Sequence, residues 1–158
     1  MSRQNPVPAT ALPFDPFAAV RELPAVRSLH GAPLHFVMSL RFCALCRAAR
    51  RDPLADLAIH FGNVEAAGAV VALADGVARM WPDSFEVCRP CCPRLTADES
   101  TLAQMAHYAL AGNRGAFSAL LDGFVRASRH DALYDLSTNA VVALQGVMPG
   151  HQSISRKS

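Results

Sequence analysis

With 158 residues, half of them hydrophobic, the chain suits one domain with a real core and is too apolar for wholesale disorder. A formal net charge of +2 is too small to imply nucleic acid, although arginine carries nearly all the positive charge and Lys157 is the only lysine. The first residues are polar and proline-broken, and the longest apolar stretch, Ala66 to Ala74, is half a membrane span, so a cytoplasmic protein with no membrane contact is expected.

Residues 1–33 carry six prolines (Pro6, Pro8, Pro13, Pro16, Pro24, Pro33) and read as a largely extended segment. Within it FDPFAAVREL suggests one short helix. Asp15 can cap it, Pro16 suits its first position, and Phe17, Val20 and Leu23 fall roughly on one side. Such a segment either docks on a partner or folds back on its own core. Residues 34–147 then form a single domain, and residues 148–158 a disordered tail.

From Leu34 to Phe42 (LHFVMSLRF) apolar and other residues alternate with the period of a strand. The residue types are weak strand formers and Pro33 suits a helix start, so a helix is the expectation, with a strand into the cysteine turn as the alternative. Next, Val70, Leu73, Ala74, Val77 and Trp81 repeat at helical spacing after a capping candidate at Asn63. The short stretch FEVC from Phe85 again has strand character. Thr96 and Glu99 then make a Thr-x-x-Glu capping box ahead of the stripe Leu102, Met105, Ala106, Ala109. After a break at Gly112 and Asn113, Phe117, Leu120, Leu121, Phe124 and Val125 share a helical face. Ser128 to His130 interrupts, and Leu133, Leu136, Ala140, Val141 and Leu144 continue the pattern. The fold class is mainly α.

All five cysteines lie in two places, RFCALCR (Arg41 to Arg47) and EVCRPCCPR (Glu86 to Arg94). Two Cys-x-x-Cys pairs supply the four soft thiolates of a closed zinc site, so Cys43, Cys46, Cys88 and Cys91 are the expected ligands, with Cys92 the alternative fourth. Adjacent residues point apart, and Cys91 keeps the two-residue spacing from Cys88. The pairs are 42 positions apart, beyond the usual spacing of compact zinc motifs, so the site would join distant parts of a helical domain. The same four thiolates could instead hold an iron–sulfur cluster, making the chain a redox or sensor protein.

Arginines crowd these segments and would offset the charge of a four-thiolate metal. The run RAARR offers a sharper reading, in which Arg47, Arg50 and Arg51 form a partner-binding face for the phosphates of a nucleic acid or for a protein. Haem attachment, zinc-hydrolase, nucleophile-elbow and phosphate-loop motifs are missing, and the four glutamates are too scattered for a di-iron bundle. The expected function is therefore regulatory or adaptor binding, with no positive support for an enzyme.

Overall fold

A computed structural model describes residues 24–147. Six helices account for most of them: α1 (Gly31–Ala48), α2 (Pro53–Phe61), α3 (Val64–Met80), α4 (Ala97–Leu110), α5 (Arg114–Leu121) and α6 (His130–Val147). Single 3₁₀ turns precede α1 and α6. The expected helix within residues 14–23 and the tail from residue 148 lie outside the described residues.

The helix starts follow local chemistry. Asp52 accepts from the Leu54 amide with Pro53 at the first position of α2, and Asn63 accepts from the Glu65 and Ala66 amides to open α3. Thr96 and Glu99 form both halves of the expected capping box. Trp81 ends α3 in an extended conformation because Pro82 follows it. Across this end Arg129 donates to the free carbonyl of Met80 at 2.8 Å.

α3 packs along α2 and α6, α1 packs on α4, and α4 also meets α5 and α6. The expected stripes converge on one core, with Val70, Leu73, Leu102, Met105, Phe117, Leu121, Leu133 and Leu144 at most 1% exposed. Where α3 crosses α6, Gly76 is buried and any Cβ there would collide with the Leu136 side chain. This close approach explains why a glycine interrupts an otherwise alanine- and valine-rich helix.

LHFVMSLRF lies inside α1, as expected, and does not form the alternative strand. FEVC is irregular where a strand was the expectation, and the only extended pairing among the described residues is a bridge between Ala25 and Arg94. The alternation along α1 is misleading because this helix is buried on several sides, through Phe36, Val37, Ser39, Leu40, Arg41 and Cys43. The helix carrying Phe117 stops at Leu121 and does not continue to Val125, since Gly123 takes a left-handed conformation (φ 89°). Val125 is still buried, but Phe124 is 39% exposed, its ring edge-on to Trp81 at 5.3 Å.

Leu121→Ala should therefore cost about 2–5 kcal/mol in denaturant unfolding, whereas Phe124→Ala should cost distinctly less because its ring is already partly in water. Equal losses at the two positions would show that Phe124 is a core residue after all.

Candidate functional site

The densest polar construction among the described residues is a buried ion pair between helices α1 and α4. Arg41 is 1% exposed and Glu99 equally so. The guanidinium donates through Nε to Glu99 Oε1 at 2.7 Å and through Nη2 to Oε2 at 2.8 Å, a bidentate fork. Its remaining donors reach the loop before α4: Nη2 to the Arg94 carbonyl (2.7 Å), and Nη1 to the carbonyls of Cys92 (2.8 Å) and Arg89 (3.4 Å). All five N–H groups of the guanidinium are thereby used.

Glu99 is equally committed. Beyond Arg41, it accepts from the Cys88 amide (3.1 Å) and the Thr96 amide (2.9 Å). Burial pushes its carboxyl pKa upward, but the Arg41 guanidinium and the Thr96 and Cys88 amides outweigh that and leave it below the ordinary value. The rest of the first turn of α4 pins the same loop: Asp98 accepts from the Trp81 indole (3.1 Å) and the Glu86 amide (2.8 Å), while Thr96 donates to the Glu86 carbonyl (2.8 Å). The entry segment closes over it, with Val26 and Leu95 amides donating to the carbonyls of Pro93 and Pro24.

This lock fixes the position of three cysteines. Cys88 and Cys92 are half-buried, and both lie in the field of Arg41. The Arg94 amide and then the Cys88 thiol lower the Cys92 pKa, whereas Cys88 is raised, chiefly by donating to Cys92. Cys91 is exposed.

Cys43 and Cys46 lie on α1. Both are buried, and Cys43 shares a hollow with Leu40, Ala74 and Val77 on the α3 side. Burial pushes its thiol up to about 11, so it stays protonated at neutral pH. Arg41 and Cys43 are two residues apart on a helix, which turns their side chains about 200° from each other.

The expected four-cysteine site is thus not supported: among the described residues no group of three or more histidine, cysteine or acidic side chains is placed to hold a metal ion.

The arginine face is also largely occupied. Arg47 pairs with Asp75 and Arg51 donates to Asp56 at 2.6 Å, while Arg50, exposed just past the end of α1, takes a left-handed conformation (φ 54°). Two of the three guanidiniums thus already have carboxylate partners.

Beside the lock, α1 lines two hollows. The first, about 440 Å³, lies between α1 and α2, among His35, Met38, Phe42, Leu57, His60 and Phe61. The second, about 740 Å³, runs from Leu34 and Met38 to the entry segment at Ala25, Val26 and Leu29. Met38 and Pro90 belong to both, so the hollows join in one mainly apolar groove, with the locked loop as a wall. No helix among the described residues is long and apolar enough to cross a membrane.

No family model, curated protein or solved structure matches the chain.

Arg41→Lys should destabilise nearly as much as Arg41→Met, by about 3–5 kcal/mol in denaturant unfolding, because an ammonium cannot supply five planar donors and the loss leaves Glu99 unpaired. The carboxylate also sets a pH signature. With a depressed folded pKa, its contribution is complete above the unfolded value of about 4.3 and is lost as pH falls through the lower folded value. Stability measured from pH 7 down to 2 should fall more steeply below that point in the native chain than in Glu99→Gln. Parallel acid limbs would remove Glu99 from this role.

Proposed function

We propose that the protein is a small regulatory or adaptor module that works by binding, with the groove along α1 as its recognition surface for an amphipathic helix. The observation that carries this reading is the groove itself. Leu34, Met38 and Phe42 are spaced four apart and form one stripe, with Leu57 and Phe61 across it and His35, Ser39, Asp56 and His60 among the polar groups of the lining. The stripe spans about 12 Å of helix, the reach of a helix of roughly ten residues bound in a groove.

The occupant that fits best is the chain's own segment 14–23. Its Phe17, Val20 and Leu23 offer the complementary apolar side, and the chain enters the described region at Pro24, next to Ala25 in the wall of the second hollow. A short tether raises the effective concentration of such a segment to the millimolar range. A partner helix of the same pattern would compete with it, and that competition is the regulatory step.

The occupied Arg47 and Arg51 favour a protein over a nucleic acid as partner, since a phosphate would have to displace existing carboxylates. This reading does not depend on a metal at the cysteines.

A photo-crosslinking residue placed at Met38 in the full chain should react with residues 14–23 of the same molecule, and Phe17→Asp with Leu23→Asp should abolish that product. A labelled peptide of residues 10–24 should then bind the doubly substituted chain, and Met38→Glu should remove the binding. Crosslinks that never fall within residues 14–23, together with no peptide binding, would overturn the proposal.

A further inference from the structure

The two hollows that join along α1 differ in charge. The one between α1 and α2 has a single acidic lining residue, Asp56, which already accepts from Arg51 at 2.6 Å. The one at the entry segment is lined by Arg27, His30 and Arg94, all exposed, and by no carboxylate. Backbone pairing brings these distant arginines to one rim: Ala25 bridges to Arg94, and the Val26 amide donates to the Pro93 carbonyl at 2.8 Å. The Arg94 carbonyl is in turn held by buried Arg41 at 2.7 Å, so the rim rests on the lock. The arginine–carboxylate pairs among the described residues engage Arg41, Arg47, Arg51 and Arg114, not Arg27 or Arg94.

Away from this cationic end the lining is mainly apolar, through Leu29, Leu34, Met38, Phe42, Leu57 and Phe61. At about 440 and 740 Å³, both hollows have the ordinary size of small-molecule sites. One end is thus built for a negative head and the rest for a hydrocarbon tail.

We propose that the groove binds a dissolved straight-chain monocarboxylate, with its head at Arg27 and Arg94 and its tail along Met38 and Phe42. A guanidinium takes a carboxylate through two parallel N–H bonds, which suits these two arginines to the head. The charges also set the ligand's direction, because Asp56 repels an anion at the far end and the arginines attract it at the near one. The stripe from Leu34 to Phe42 spans about 12 Å, a length that an extended chain of about ten carbons matches. Given the groove reading above, such an acid excludes residues 14–23 from the same surface and so regulates access to it.

The test uses the full-length chain carrying Phe17→Asp with Leu23→Asp, so that the ligand site is read whether or not residues 14–23 dock. Decanoate, kept below micelle formation, is titrated by calorimetry beside decan-1-ol, which has the same tail length and no charge. One decanoate should bind per chain, about tenfold or more tighter than the alcohol, as charge-assisted hydrogen bonds imply. Octanoate should bind about fifteenfold more weakly than decanoate, since each methylene contributes roughly fourfold. Arg27→Gln with Arg94→Gln should erase the preference for the acid and leave the affinity for the alcohol unchanged, which an unfolded variant would not do. Met38→Glu should remove both. The chain without the two aspartate substitutions should bind decanoate more weakly, because residues 14–23 compete. No uptake of decanoate by the doubly substituted chain would overturn the proposal. So would equal affinity for acid and alcohol, or a preference for the acid that survives loss of both arginines. Equal affinity of the two chains for decanoate would overturn the regulatory competition alone.

Discussion

One guanidinium and one carboxylate, buried where α1 meets α4, decide the shape of the loop between α3 and α4. Neither charge reaches water, and each is satisfied by the other and by backbone of the loop between α3 and α4. Burying such a pair contributes little net stability compared with a well-packed apolar pair, because desolvation offsets most of the attraction. What it does provide is exclusivity. A loop conformation that failed to place the carbonyls of residues 89, 92 and 94 around Arg41 would strand a buried cation, so alternatives are penalised by several kcal/mol.

That exclusivity extends to the groove. The locked loop carries Pro90, which serves as a wall of the groove along α1. The same helix thus works on three sides: Arg41 toward the loop, Cys43 and Leu40 toward α3, and Met38 and Phe42 toward the groove. The first turn of α4 serves the lock as well as its own helix, since Thr96, Asp98 and Glu99 each bond to loop atoms outside α4.

How much of this the sequence reveals depends on how local each determinant is. The stripes from Val70 to Trp81 and from Leu102 to Ala109 are legible because one face alone is buried, and the Asn63 and Thr96–Glu99 caps are legible because their bonds close within three residues. The second duty of Glu99 is not legible, since its partner is 58 positions away and a capping glutamate looks the same whether exposed or buried. Arg41 did carry a signal, an arginine inside an apolar stretch, but its nearness to cysteines suggested charge compensation of a metal. The Cys-x-x-Cys spacing is ambiguous for a related reason. Three residues apart on a helix is also the spacing of two small core positions, and Cys43 and Cys46 are both buried on α1.

The junction where α3 gives way to the loop holds the only tryptophan in the chain. Trp81 is 6% exposed, edge-on to Phe85 at 5.0 Å and to Phe124 at 5.3 Å, with its indole N–H on Asp98. Its neighbours come from the start of the loop, the turn after α5 and the first turn of α4, so the ring is enclosed only when all three are docked. The protein therefore carries a built-in optical gauge. Emission from this one indole follows loop docking with no label attached, and it would separate a loosened loop around an intact bundle from a molecule that has come apart.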